Sequence, residues 1–365
     1  MLNDAVDFSQ VKTVLVIKLR HFGDTLLTSP VFSVLKAHHP HIEIDALVYE
    51  ETRTMLTLHP AISHIFGIQR SHSHANTLQQ LKTEYNLFKQ LKARRYDLII
   101  HLTEHTRGLW LTRLLKPRYS VSYHFPGFSP RRKKFWKKTF THITPHGSPQ
   151  RHVVEKHLDT LRRMGLYPNR SERALSLVAG DAAEQRIDAL LAQHGLEKQT
   201  YIHVHPTSRW LFKCWSPEKF SALINQLHKA GYTVVMSAAP DATEKAFVKA
   251  IQQQLKQPVI DVSGQLTLKE MAVLTQRAQC FIGMDSVPMH IAAAMNTPVV
   301  VLFGPSGDLE WGPWQVASKV ITLAYACRPC GQDGCGGGKI SECLTDISVN
   351  IVFDAVQSLL EKPRL

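Results

Sequence analysis

The chain has 365 residues, 44% of them apolar and 20% charged, with a formal net charge of +13 and a pI near 9.5. This composition excludes a disordered chain, the length exceeds one ordinary domain, and no apolar run is long enough to span a bilayer. The excess of cations selects an anionic partner: nucleic acid, an acidic membrane surface or a phosphorylated substrate.

The opening MLNDAVDFSQ carries Asp4 and Asp7 and lacks a basic segment ahead of an apolar core, so no secretory signal is expected and a cytoplasmic protein is. Residues 14–17 read as a buried strand, and Lys18-Leu19-Arg20-His21-Phe22-Gly23-Asp24 leads from it into a helix over 25–38. Strands follow at 42–48 and 62–68, a helix at 76–94, a strand at 97–100, a helix at 107–115 and a strand at 119–123. His64, His72 and His74 have no ordered Cys or acidic partner and read as surface loop. Residues 125–149, rich in Pro, Gly and cations, read as one long loop, followed by a helix at 153–164 and a linker at 165–180. In the second half, strands are expected at 201–204, 233–236, 259–262, 280–283 and 299–303, with helices at 217–229, 242–254 and 268–278. Asp285 and Ser286 stand at an N-cap, with Pro288 in the first turn of a small-residue helix. The helical spacing of 351–360 suits a segment packing back across the first domain.

This alternation predicts an α/β protein of two doubly wound, Rossmann-like domains facing a central cleft. The expected bounds are 1–175, 176–347 and a returning C-terminal segment, 348–365.

Helices that begin at the carboxyl ends of parallel strands aim free N–H groups at a ligand crevice, so the Asp285-Ser286 loop reads either as an anion site, with His290 one turn inside, or as an ordinary cap. Asp24 reads either as an N-cap or as a cleft-facing carboxylate able to act as general base on a hydroxyl. Lys18, Arg20 and His21 beside it can serve an anionic acceptor or line a basic rim. Thr207, Ser208, Arg209 and Lys213 form a candidate diphosphate clamp, while Asp241 can take a ribose hydroxyl or cap the next helix. Arg131-Arg132-Lys133-Lys134-Phe135-Trp136-Lys137-Lys138 suits an anionic bilayer, with Trp136 at the interface, or single-stranded nucleic acid, or a solvated loop. Neither G-x-x-x-x-G-K-[ST] nor a strand-borne G-x-G-x-x-G is present. Cys327, Cys330, Cys335 and Cys343 have the spacing C-x2-C-x4-C-x7-C, which allows a structural metal such as zinc or plain structural thiols.

Ile17-Lys18-Leu19-Arg20-His21-Phe22-Gly23-Asp24-Thr25-Leu26-Leu27, the segment 205–218 and Gly283-Met284-Asp285-Ser286-Val287-Pro288-Met289-His290 together resemble the ADP-heptose:lipopolysaccharide heptosyltransferases, glycosyltransferase family 9. The C-R-P-C start of the cysteine loop resembles the members that add the third, branch heptose of the inner core. Val287 departs from the pattern, since relatives commonly carry Gly after the Asp-Ser/Thr pair.

The resemblance implies a GT-B fold and an inverting, metal-independent transfer from ADP-heptose, with no cofactor required for the chemistry. It makes Asp24 the base, and it makes Thr207, Ser208, Lys213, Asp241, Asp285, Ser286 and His290 the donor site, with Lys213 assisting catalysis. Lys18, Arg20, His21, Arg131, Arg132, Lys133 and Lys134 would meet a lipid A–core oligosaccharide, with the enzyme docked on the cytoplasmic face of the inner membrane and no nucleic acid bound. A GT-B sugar-nucleotide epimerase and a basic nucleic-acid-binding protein are the rival readings. The first would need no acceptor, and the second would bind DNA or RNA with a steep salt dependence.

Overall fold

The computed structural model describes residues 4–70, 77–145, 147–148 and 150–361, and of residues 77–81 the backbone only. His72 and His74 lie outside the described residues. The chain divides into two units, Met1–Val178 and Ala179–Leu365, against an expected boundary at 175.

In the first unit, β1 (Thr13–Lys18), β2 (Glu43–Tyr49), β3 (His64–Ile68), β4 (Leu98–His101), β5 (Tyr119–Tyr123) and β6 (His142–Thr144) form one sheet in the order β3-β2-β1-β4-β5-β6. All its pairings are parallel. Helices α1 (Phe22–Leu26), α2 (Ser29–His38), α3 (Thr77–Ala93), α4 (Thr106–Leu115), α5 (Pro130–Thr139) and α6 (Val153–Arg163) connect the strands and close the unit. Val14, Leu15, Ile17, Leu98, Ile99 and Ile100 are wholly buried, as unbroken apolar strands of a parallel sheet covered on both faces must be.

The second unit repeats the plan. Strands β7 (Tyr201–His205), β8 (Thr233–Met236), β9 (Ile260–Asp261), β10 (Cys280–Met284), β11 (Val299–Leu302) and β12 (Ser318–Ile321) pair in parallel in the order β12-β11-β10-β7-β8-β9. Its helices are α7 (Asp181–Gln193), α8 (Pro217–Lys229), α9 (Ala242–Gln252), α10 (Leu268–Gln276), α11 (Val287–Ala294), α12 (Asp308–Trp311), α13 (Glu342–Thr345) and α14 (Val349–Leu360). Each sheet therefore reverses its strand order once, between β1 and β4 and between β7 and β10. The crevice outside the carboxyl ends of such a strand pair is where doubly wound folds bind ligands.

Three departures from expectation have local causes. The helix expected over 25–38 is two, because Pro30 lacks an N–H and restricts Ser29, breaking the chain at Leu27-Thr28. The loop expected over 125–149 contains α5 and β6, since Ser129 caps Arg132 N and Pro130 opens the helix. Trp136 is buried among Leu109, Phe140, Phe125 and Phe128, which removes it from the interfacial role expected of it. Helix α14 sends Val352, Ala355, Val356 and Leu359 into the second unit's core beside α8. That apolar stripe at i, i+3, i+4 and i+7 finds its cover close by.

Candidate active site

The three sequence motifs sit at the two switch points. In the first unit, β1 pairs with β4 through Ile17 and His101, and Lys18 to Asp24 leave the carboxyl end of β1. Asp24 lies inside the first turn of α1, whose N-cap position is held by His21. Its carboxylate therefore caps nothing. It faces Lys18, with Oδ1 3.5 Å from Nζ.

Lys18 corrects its expected place on the acceptor rim, being only 6% exposed. Its Nζ also lies 3.1 Å from His157 Nε2 on α6. His157 Nδ1 is 3.0 Å from the Leu27 carbonyl, which can only accept, so Nδ1 carries the hydrogen and the unprotonated Nε2 receives one from Lys18. Burial lowers the Lys18 pKa against the opposing pull of Asp24, and burial followed by the Lys18 charge drives His157 well below the usual imidazole range. Asp24, Lys18 and His157 thus form a chain in which a rigid helix holds the cation that faces the carboxylate. His157 went unnoticed in the sequence. The only signal was a polar residue on the apolar face made by Val154, Leu158 and Leu161.

Arg20 pairs with Glu104, and His21 Nδ1 lies 3.3 Å from Arg70 Nη2. The Arg132 guanidinium sits 3.7 Å over the Phe128 ring and donates to the Glu104 carbonyl. Arg131 and Lys134 are exposed, and Lys133 is half-buried. Burial lowers the pKa of neighbouring His105, whose Nε2 lies 3.2 Å from the Tyr49 hydroxyl.

In the second unit, β7 and β10 run side by side with Gly283 opposite His205, so Thr207-Ser208 and Asp285-Ser286 emerge together. Lys213 Nζ reaches Asp285 Oδ2 at 2.6 Å and lies 5.4 Å from the Trp210 ring centre. This ion pair joins two motifs 72 residues apart. Ser286 occupies the N-cap position of α11 without a side-chain cap bond, its hydroxyl 3.4 Å from the Met284 carbonyl. His290 is buried one turn inside that helix. Ser208 is buried, and its Oγ accepts from Trp210 N at 3.5 Å.

Two donor-site expectations change. Thr207 is wholly buried and its hydroxyl donates to Glu244 Oε2 at 2.6 Å, so that hydrogen is not offered to a phosphate. Asp241 caps α9 through Oδ1, accepting from Thr243 N at 2.8 Å and Glu244 N at 3.3 Å, and those N–H groups lower its pKa. Glu244, missed in the sequence, stands three residues after that cap as a capping-box acid would. It turns instead to Thr207 and to Ala239 N at 3.1 Å. Behind Thr207 runs a buried polar row. His205 Nε2 is 3.3 Å from Thr207 Oγ1, His205 Nδ1 is 2.9 Å from Ser237 Oγ, His203 Nε2 is 2.7 Å from the same Oγ, and His203 Nδ1 is 2.9 Å from Thr275 Oγ1.

The loop cysteines are free thiols, with Cys327 and Cys335 exposed, Cys330 half-buried and Cys343 buried. Burial raises the Cys343 pKa, Arg328 lowers it, and Cys335, Cys330 and Cys327 raise it further. Among the described residues no group of three or more His, Cys, Asp or Glu is placed to hold a metal ion. The loop is tied instead to its surroundings. Arg328 Nε donates to the Gly304 carbonyl at 2.6 Å, and Ser341 Oγ donates at 2.6 Å to the carbonyl of Phe212, the residue before Lys213.

Burial pushes the imidazole pKa of His101 and His203 down to about 3 and that of His157 well below its usual range. Such a group takes up its proton only on unfolding, so the unfolded state gains protons below about pH 6.5 and stability falls as pH drops. Each imidazole removes about 1.4 kcal/mol per pH unit there. Thermal unfolding followed between pH 7.5 and 5 should show a steep fall in melting temperature. A flat profile would mean that these rings are not neutral and buried in the native state.

A family model described as glycosyltransferase family 9 (heptosyltransferase) matches residues 84–340. Lipopolysaccharide heptosyltransferase 3 of Escherichia coli is 38% identical over 299 residues, 81% of this chain and 84% of that protein. Among solved structures, a family 9 glycosyl transferase from Veillonella parvula DSM 2008 superposes with a TM-score of 0.81 at 22% identity, covering 96% of this chain and 97% of that one. E. coli ADP-heptose lps heptosyltransferase II gives 0.73 at 19%, covering 95% and 98%. These two likenesses carry the fold, GT-B.

Proposed function

Because the chain belongs to glycosyltransferase family 9, we propose that it transfers L-glycero-D-manno-heptose from ADP-heptose to a heptose of the lipopolysaccharide inner core, adding the third, branch heptose to heptose II. The observation that carries this reading is the 38% identity to an E. coli lipopolysaccharide heptosyltransferase 3 across 81% of the chain. Asp24 takes the proton of the acceptor hydroxyl as that oxygen bonds to the anomeric carbon. The bond from that carbon to the diphosphate oxygen breaks on the opposite face, ADP departs and the configuration inverts. Lys18 keeps the carboxylate oriented. Lys213, the Ser286 hydroxyl with its neighbouring N–H groups, and His290 meet the charge growing on the diphosphate, the part a divalent cation plays in other transferases. Ser208 assists, while Thr207, Glu244 and Asp241 act as scaffold for the donor loop. Arg20, His21, Arg132 and Lys133 face the anionic core oligosaccharide. Among the described residues no helix is long and apolar enough to cross a membrane, and the acceptor's lipid brings the enzyme to the cytoplasmic face of the inner membrane as a peripheral protein.

The test is release of ADP from ADP-heptose with and without a core acceptor lacking the branch sugar. Acceptor-dependent release, with one heptose of mass added to the core, is expected. Release without any acceptor, or no turnover despite bound ADP, would overturn the assignment.

A further inference from the structure

The basic run at 131–138 is helical, and its exposed side is not the one its sequence suggests. Trp136 points inward, while Phe135 remains half-exposed among Arg131, Lys134 and Lys138, which lie at i−4, i−1 and i+3 and are all exposed. Against Phe135 packs Trp110 of α4, with ring centres 5.1 Å apart, and Trp110 is 53% exposed. Leu114, one turn further along α4, is 55% exposed. Neither α4 nor α5 contains an Asp or Glu. An exposed Trp and Leu are costly to leave in water, and cations ringing them have no acidic partner on these helices to pair with.

We propose that the α4–α5 face is the docking surface of this protein for an anionic phospholipid bilayer. The Trp110 and Leu114 side chains enter the head-group region, and Arg131, Lys134 and Lys138 pair with lipid phosphates. Charge selects this occupant. A neutral protein partner would meet apolar tips ringed by unmatched cations, whereas a bilayer of anionic lipid offers phosphate around an apolar interior. The proposal uses the transferase reading only to supply a lipid-borne acceptor, and its test does not depend on turnover.

The full chain is sedimented with vesicles of phosphatidylcholine, with and without phosphatidylglycerol. Binding is expected only to the phosphatidylglycerol vesicles and should weaken with salt. Trp110→Ser with Leu114→Ser should weaken it about tenfold through lost apolar burial, and Lys138→Glu by about as much through charge. Both variants should keep the native melting temperature and normal ADP release with a soluble, lipid-free core oligosaccharide. Equal binding of all variants, or preference for single-stranded nucleic acid over vesicles, would overturn the docking face while leaving the transferase intact. Failure of ADP release with the soluble acceptor would strike the transferase reading alone.

Discussion

Asp24→Ala is expected to lower kcat by about a thousandfold while leaving ADP affinity within about twofold. The carboxylate sits in the first turn of α1 and makes no cap bond, so its removal costs the helix little. Among the described residues its one ion-pair partner is Lys18, 3.5 Å away. That pairing separates a base from a structural residue. Lys18→Met removes the cation that orients the carboxylate and should lower kcat about tenfold to a hundredfold with the donor KM unchanged. Steady-state kinetics with both substrates varied, together with calorimetric ADP binding, checks both variants. If Asp24→Ala turns over normally, the proton goes elsewhere and the first unit's switch point has another task.

Lys213→Ala should damage both steps, weakening ADP binding about tenfold and lowering kcat/KM by about a hundredfold to a thousandfold. The ammonium is held 2.6 Å from Asp285 and so is fixed before any donor arrives. Charges placed in advance need no reorganisation as the leaving group develops its own. The variant also strands Asp285, only 9% exposed, and an unpaired carboxylate could weaken the loop without any role for the lysine. Lys213→Ala with Asp285→Asn separates these causes. If the stranded charge is responsible the double variant recovers activity, and if Lys213 meets the diphosphate it stays as impaired as the single one.

The strand and helix alternation was legible because buried parallel strands read as short apolar runs, and the motifs at 18–24, 205–213 and 283–290 mark the carboxyl ends of β1, β7 and β10. What escaped was non-local. Lys18 reads as one more cation until α6, 139 residues later, covers it with His157. Glu244 reads as a capping-box acid until β7 brings Thr207 to it across 37 residues. Charge density hid α5, since six cations in eight residues read as solvated loop and the helix is held by the inward side of Trp136 and Phe140. Helix α7 and strand β12 carried too weak a pattern to be read at all. Asp24 and Asp241 could each have been a cap or a ligand in the sequence, and the two resolve oppositely, with Asp241 bonded to two helix N–H groups and Asp24 to none.

The polar row behind Thr207 can be counted in hydrogens. Thr275 sends its own outward to the Met271 carbonyl at 2.7 Å, and Thr207 sends its own to Glu244. Neutral His203 and His205 contribute one each and Ser237 a third, yet four contacts join Thr275, His203, Ser237, His205 and Thr207. One contact must go without, and the longest, the 3.3 Å approach of His205 Nε2 to Thr207 Oγ1, is where the shortage falls. The Thr207 hydroxyl is therefore a rotor with two claimants for a single hydrogen, a carboxylate on one side and an imidazole on the other. Turning between them leaves the backbone in place, so the end of β7 can trade one internal partner for the other without moving the loop that follows it.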